Sequence, residues 1–180
     1  MVYVCIAEGF EEIEALTPVD VLRRAGCRVR TVGITGKTVK GSHGVPVVCD
    51  QEGTEAFPED LEMLVLPGGM PGTRHLEESE VVQHWLDEAV KRDRWVAAIC
   101  AAPSMLGHRG LLQGREATAF PGFEQDLKGA HLSSKSVAVD GRFVTAKGMG
   151  VALEFSLCLA GLIQGQEKAQ QVKEAIQCAR

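Results

Sequence analysis

The chain lacks the features that mark several functional classes. No apolar run approaches the ~20 residues needed to span a bilayer, so we expect no membrane association. No dense basic patch is present and the net charge is −5, which argues against specific nucleic-acid binding. Neither a phosphate loop nor a dinucleotide-binding glycine loop is present. The five histidines form no i, i+4 pair and have no Cys-x-x-Cys companion, so we expect no metal site and no cofactor.

The six cysteines are not spaced as a disulfide framework. No two lie close in sequence, several lie inside apolar segments, and no signal peptide precedes the first strand-like run. We therefore expect reduced thiols and a cytoplasmic location. The cysteines are Cys5, Cys27, Cys49, Cys100, Cys158 and Cys178.

Size and pattern indicate one α/β domain. The 180 residues are 45% hydrophobic and contain no repeat, linker or low-complexity tract, so we predict a single domain over residues 1–180. Short, continuous apolar runs alternate with amphipathic segments, which predicts a mostly parallel sheet with helices on both faces. Ligands of such sheets bind beyond the carboxyl ends of the strands.

The pattern predicts the elements along the chain. We expect strands over 2–7, 27–34, 63–66 and up to residue 99, with hairpins over 38–48 and around Asp140-Gly141. Helices are predicted over 11–25, 76–92 and 104–112, and a closing helix from 151 that Gly161 and Gly165 interrupt before it resumes over 166–179.

The most informative segment surrounds Cys100. An apolar strand ends at this cysteine, and small residues, Pro103 and a helix-compatible stretch follow it. This is the pattern of a nucleophile elbow with Cys in place of Ser. A thiol at a helix N-terminus is expected to favour the thiolate. The alternative is a cysteine buried in a core strand, which is a common place for a free thiol.

Two further features supply possible partners for Cys100. Gly68 and Gly69 follow a buried strand, and their unshielded amides could hold an oxyanion, although a plain turn has the same pattern. Glu11 and Glu12 suit the first turn of a helix by compensating its dipole. Glu14 is less easily explained in this way, because it lies near the apolar face and could reach a neighbouring strand end.

Together these segments resemble the ThiJ/PfpI (DJ) superfamily, in the branch that contains Parkinson disease protein 7 and its bacterial relatives. The resemblance runs nearly end to end. It is carried by AEGFEEIEA at 7–15, PVDVLRRAG at 18–26, LPGG at 66–69, AAICAAP at 97–103 and KGMG at 147–150.

The resemblance implies a flavodoxin-like three-layer sandwich of the class I glutamine amidotransferase type. It implies that Cys100 is the reactive cysteine and that Glu14 stays protonated and hydrogen-bonds the sulfur. Two adjacent anions repel, so one of the pair must keep its proton. Gly68 and Gly69 would line the oxyanion pocket, with Ala101 following the nucleophile. A homodimer is also implied.

The chain departs from its presumed relatives at three positions near the cysteine. Ala101 stands where the protease-like branch has a histidine, which argues against a peptidase. Phe120 occupies the position at which another histidine lies near the cysteine in the Parkinson disease protein 7 branch. Met149 replaces a proline that relatives carry between two glycines, which could alter the pocket wall or the interface.

Two functions fit the resemblance. The first is a cofactor-independent glyoxalase or deglycase that acts on small dicarbonyls or early glycation adducts through Cys100 and Glu14. The alternative is an oxidative-stress sensor or redox-regulated chaperone, in which the same cysteine is oxidised to sulfinic acid. Both rest on the same pair of residues, so the sequence alone does not separate them.

Overall fold

The computed structural model describes residues 1–53 and 57–178. Within these ranges the strands are β1 (Val2–Ile6), β2 (Val29–Gly33), β3 (Thr38–Lys40), β4 (Pro46–Val48), β5 (Gln51–Glu52), β6 (Met63–Leu66), β7 (Trp95–Ile99), β8 (Glu116–Ala117), β9 (His131–Leu132), β10 (Val137–Asp140) and β11 (Phe143–Ala146). The α-helices are α1 (Glu12–Arg24), α2 (Gly72–Glu78), α3 (Glu80–Lys91), α4 (Pro103–His108), α5 (Ala152–Gln164) and α6 (Gln166–Ala175).

A seven-stranded sheet forms the centre of the fold, in the order β10-β11-β7-β6-β1-β2-β5. Every neighbouring pair is parallel except β10 with β11, which form the hairpin predicted around Asp140-Gly141. Because β1, β6 and β7 are adjacent and parallel, the loops after them meet at one edge of the sheet. This topology brings together the three segments that the sequence marks as functional.

Both faces of the sheet are covered, as predicted. Val2, Val4 and Ile6 of β1 pack into one core with side chains of α1, α5 and α6. Tyr3 and Cys5 of the same strand pack into a second core with α2, α3 and α4. A strand buried on both faces needs apolar residues at every position, which explains why the run does not alternate.

The predicted helix over 76–92 is wrong as a single element. Ser79 separates α2 from α3 with an extended backbone (φ −77°, ψ 115°), and its side chain accepts from the Val82 amide at 3.4 Å. A serine hydroxyl can replace the lost helical hydrogen bonds, and serine is favoured at a helix N-cap for this reason.

The predicted break at Gly161 is also wrong, whereas the break at Gly165 is confirmed. Gly165 has φ 90° and separates α5 from α6. Gly161 stays inside α5, where an added Cβ would lie 2.6 Å from the side-chain Nε2 of Gln166. Its missing side chain therefore lets the start of α6 pack closely on α5. The predicted end of the closing helix, Ala179, lies outside the described residues.

The helix after Cys100 is shorter than the predicted 104–112 and ends at His108. The hairpin predicted over 38–48 is confirmed as the antiparallel pair β3 and β4. Among residues 1–53 and 57–178, no helix combines the length and apolar character that a bilayer crossing requires.

Candidate active site

Cys100 lies directly after β7 in a strained backbone conformation. Its φ is 66°, in the left-handed region that residues with a Cβ adopt at an energetic cost. Its amide donates to the Ala146 carbonyl at 2.9 Å, and its carbonyl accepts from the Phe120 amide at 2.9 Å. The side chain is half-buried, so Cys100 is not a core strand residue. The geometry is that of a nucleophile elbow.

Glu14 approaches Cys100 from α1 and is 1% exposed. Its Oε2 accepts from the Gly68 amide at 3.0 Å, and its backbone amide donates to the carboxylate of Glu11, which caps the helix. The carboxyl group interacts with the Cys100 thiol. Among the described residues, Oε1 of Glu14 has no hydrogen-bond partner. The carboxyl group thus keeps one oxygen available to a proton or a substrate.

Gly68 is the point at which these elements meet. A Cβ added here would lie 2.6 Å from both the Cys100 Cβ and the Glu14 Oε2, and 2.9 Å from the Ile99 carbonyl oxygen. Such distances are below any ordinary contact, so only glycine lets Glu14 approach the elbow. The predicted oxyanion role of the Gly68 amide needs correction, because this amide already donates to Glu14.

Gly69 and Ala101 supply the amides that face the sulfur. Hydrogen bonds from both backbone N–H groups act to lower the pKa of Cys100. Gly69 has φ 88°, and a side chain there would collide with the Glu11 amide. Both amides therefore act to favour a negative charge on the sulfur.

Burial dominates the protonation of both reactive groups. It raises the pKa of Glu14 to about 7, against the hydrogen bonds from Cys100, Gly68 and Met149. Burial, followed by the charge and hydrogen bond of Glu14, raises the pKa of Cys100 to about 12. The lowered pKa that the sequence predicts for Cys100 is not found, because burial and Glu14 outweigh the opposing effect of the Gly69 and Ala101 amides.

The two groups titrate as a pair, because an ionised Glu14 is itself a cause of the raised pKa of Cys100. From about pH 7 to about pH 12 the pair holds one negative charge and one proton, and this proton can move between the carboxyl group and the sulfur. A proton on Glu14 can be donated to a thiolate on Cys100, which the Gly69 and Ala101 amides also stabilise.

Phe120 and Met149 lie on the exposed side of the Cys100–Glu14 pair. The Phe120 ring is 46% exposed and would lie 3.0 Å from a Cβ placed at Gly148. The Met149 amide acts to lower the pKa of the Glu14 carboxyl group, and a proline at this position would have no N–H to do so. His108 is bound elsewhere, with its Nδ1 2.6 Å from Glu77.

The protein-family model described as "DJ-1/PfpI family" matches residues 1–161 of the chain. The chain belongs to the DJ-1/PfpI family. It is 37% identical to the Parkinson disease protein 7 homolog of Danio rerio, over 94% of this chain and 93% of the relative. It is 35% identical to protein dj-1beta of Drosophila melanogaster, over 96% of this chain and 94% of the relative.

Solved structures of the family share the fold. Oxidized DJ-1 of Toxoplasma gondii superposes with a TM-score of 0.95 at 32% identity, covering 99% of this chain and 98% of that chain. DJ-1beta of Drosophila melanogaster gives a TM-score of 0.93 at 34% identity, with 99% and 98% coverage. The flavodoxin-like DJ-1/PfpI architecture predicted from the sequence is confirmed.

Sequence reasoning missed the role of Glu12. Instead of only compensating the helix dipole, this carboxylate is 7% exposed and holds the loop between β3 and β4. Its oxygens accept from the His43 amide at 2.8 Å and the Val45 amide at 3.4 Å, and one lies 3.0 Å from the His43 ring. The spacing between Glu12 and His43 in the chain carries no signal for this contact.

One group of side chains within the described ranges could hold a metal ion. The ligand atoms of Glu11, Glu12 and His43 lie within 4.8 Å of one another. However, Glu11 already accepts from the Glu14 amide, and both oxygens of Glu12 are bound by the loop. These atoms are used within the protein, so the cluster gives no ground for a metal centre in this DJ-1/PfpI protein.

Proposed function

We propose that this DJ-1/PfpI protein is a cofactor-independent glyoxalase that acts on small dicarbonyls such as methylglyoxal. The observation that carries the proposal is the buried Glu14 carboxyl group beside the Cys100 thiol, with the Gly69 and Ala101 amides at the sulfur. A relative from Caenorhabditis elegans that is 29% identical over 96% of this chain is named glutathione-independent glyoxalase DJR-1.2. Early glycation adducts share the first chemical step and are included in the proposed substrate class.

The reaction begins when the proton of the pair passes from the Cys100 sulfur to the Glu14 carboxylate, which gives the thiolate form. The Cys100 sulfur forms a bond to the aldehyde carbon, and the carbonyl electron pair becomes an alkoxide that takes the proton of Glu14. The Gly69 and Ala101 amides stabilise the developing negative charge. The product of this step is a hemithioacetal with Glu14 ionised.

Glu14 then acts as a base. A pKa of about 7 leaves the carboxylate able to accept a proton at neutral pH and to return it. It removes the proton from the sulfur-bearing carbon and delivers one to the neighbouring carbon, which converts the adduct into a thioester of lactic acid. Water hydrolyses the thioester and restores the thiol, so the sum is methylglyoxal plus water giving lactate.

The direct test is proton NMR of methylglyoxal incubated with the wild-type protein and no glutathione. Cys100→Ser should produce no lactate, whereas Cys158→Ser, a partly exposed cysteine on α5, should match the wild type. Lactate formed equally by wild type and Cys100→Ser would disprove the nucleophile. No lactate from any of the three proteins would disprove the glyoxalase proposal.

A second candidate is a redox sensor or redox-regulated chaperone based on the same thiol. It is favoured by the partial exposure of Cys100 and by two amides that could bind sulfinate oxygens. Mild peroxide would then add two oxygens to Cys100, and mass spectrometry of tryptic peptides would detect the gain. A Cys100 peptide of unchanged mass would exclude this candidate.

The proposal also includes a homodimer in a reducing, cytoplasmic compartment. Exposed apolar side chains support a partner copy: Ile13 is 48% exposed, Val48 70% and Met149 53%. Light scattering on the purified protein should give twice the 19.4 kDa of one chain. A mass of one chain would exclude the dimer without bearing on the chemistry of Cys100.

A further inference from the structure

A cleft lies at the opposite end of the sheet from Cys100. It encloses about 290 Å³, and its lining includes Asp93, Arg94, Arg115, Arg142 and Phe143. β7 begins beside this cleft at Trp95 and ends one residue before Cys100. Five strand residues span about 16 Å, so the cleft is separate from the active site. Nothing in the chemistry proposed for Cys100 uses it.

Two of the three arginines are positioned by aromatic rings. The Arg115 guanidinium lies 5.0 Å from the centre of the Phe143 ring, and that of Arg142 lies 4.9 Å from the Trp95 ring. Arg115 also packs against Gly141, where a side chain would collide with its guanidinium. The turn between β10 and β11 therefore leaves room for a cation, and the rings hold both guanidinium planes in place.

The charges of the cleft are not balanced. Arg142 pairs with Asp93 at 2.9 Å, and Arg115 pairs with Asp140 at 3.5 Å. Arg94 lines the same cleft and forms no ion pair with the described residues. Three guanidinium groups and two carboxylates therefore leave the cleft with one positive charge in excess.

We propose that this cleft binds a small phosphorylated molecule through its phosphate group. Planar guanidinium groups donate paired hydrogen bonds that match phosphate oxygens. A phosphate group offers three oxygens, which could accept from Arg94, Arg115 and Arg142 together, whereas a carboxylate offers only two. The volume suits a compact ligand, since small-molecule pockets begin at about 300 Å³.

A titration with inorganic phosphate, monitored by heteronuclear NMR, tests the proposal. The ionic strength is held constant, with chloride as the reference anion. The backbone amides of Asp93, Arg94, Gly141 and Arg142 should shift together and saturate. Arg94→Gln should weaken the affinity about tenfold or more, as expected when a charge-assisted hydrogen bond is lost.

The matched control is Arg24→Gln, which removes the same charge from an exposed site on α1. Its affinity for phosphate should equal that of the wild type. The proposal is overturned if phosphate causes no saturable shift at the cleft, if acetate binds there as tightly as phosphate, or if both variants lose affinity equally. The shifts in the wild-type protein decide the matter even if Arg94→Gln folds poorly.

Discussion

Glu12 and Glu14 lie two residues apart on the first turn of α1, both buried, yet their environments set opposite protonation states. Burial opposes ionisation of Glu12, but the hydrogen bonds from the His43 ring and from backbone amides outweigh it and lower its pKa. For Glu14, burial exceeds the hydrogen bonds from Cys100, Gly68 and Met149, and the pKa rises to about 7. The same residue type therefore holds a loop as an anion in one case and is suited to carry a proton in the other.

The difference teaches that hydrogen-bond donors, rather than depth, decide the role of a buried carboxyl group here. Glu12 satisfies both of its oxygens with the loop between β3 and β4. Glu14 leaves Oε1 without a partner in the described chain and directs its carboxyl group to Cys100. A satisfied carboxylate contributes to stability, whereas an unsatisfied one next to a nucleophile is available for proton transfer.

The largest expected effect is on catalysis. Glu14→Gln should lower kcat for methylglyoxal at least about 100-fold, the range lost with a general acid–base group, because the amide cannot carry the proton. Glu12→Gln is the matched change two residues away. Its kcat should stay within about threefold of wild type, because the Glu12 carboxylate binds the loop between β3 and β4 and not Cys100. Steady-state lactate formation measures both. Equal losses in the two variants would mean that the contrast between the carboxyl groups is structural only.

The two glycines that contact these carboxyl groups give the next test. Gly68→Ala and Gly41→Ala each place a Cβ against a carboxyl oxygen, of Glu14 and of Glu12 respectively. Overpacking should cost each variant about 1–3 kcal/mol of unfolding free energy. Only Gly68→Ala should also lose dicarbonyl turnover.

Gly150→Ala serves as the control for this pair, because an added Cβ there meets nothing within 4 Å. Urea unfolding and lactate formation should both match the wild type. Full turnover in a folded Gly68→Ala protein would show that the close approach of Glu14 to the elbow is dispensable.

Stability should depend on pH in opposite ways at the two sites. The lowered pKa of Glu12 gives stability above its usual value of 4.5 that is lost as pH falls through the folded-state pKa. The raised pKa of Glu14 gives stability below 4.5 that is lost as pH rises through about 7. Urea unfolding between pH 3 and pH 8 should therefore show Glu12→Gln flattening the acid limb and Glu14→Gln flattening the neutral limb. If both variants flattened the same limb of the pH–stability curve, the opposite pKa shifts of Glu12 and Glu14 would be contradicted.

The smallest expected effect concerns Met149. The Met149 N–H favours the ionised form of Glu14, and Met149→Pro removes this N–H. The pKa of Glu14 should rise further, and the midpoint of the pH–rate profile should move upward by less than about one unit. Met149→Ala keeps the amide and should leave the midpoint in place. A downward shift in the proline variant would show that this amide does not act on Glu14.

Much of this arrangement could be predicted from the chain. Continuous apolar runs that end in Gly-Gly or Cys indicate parallel strands with functional carboxyl ends, and the strand order then gathers Glu14, Gly68 and Cys100. The close approach at Gly68 follows from the same pattern, since paired glycines after a strand permit it. The pattern does not contain the direction of a backbone N–H. The Gly68 N–H, predicted to face an oxyanion, therefore donates to Glu14 instead.

The contacts between distant segments could not be predicted. Glu12 and His43 meet because the β3–β4 hairpin folds back over α1, a tertiary event with no periodic signal. The break at Ser79 and the continuity through Gly161 depend on a local cap and on packing against Gln166, and these override helix propensity. The pKa of Cys100 is set by burial and by Glu14 rather than by the helix that follows it.

The central claim is that Glu14 gives a proton to a Cys100 thiolate, and the pH dependence of Cys100 alkylation by iodoacetamide tests it most directly. The labelling rate, followed by mass spectrometry of the Cys100 peptide, should have its midpoint near 7 in the wild type, where the pair loses its first proton. Glu14→Leu should raise the midpoint, because a buried thiolate then lacks its donor. A high midpoint in the wild type that falls in Glu14→Leu would show that the carboxylate carries the charge, and would contradict the account.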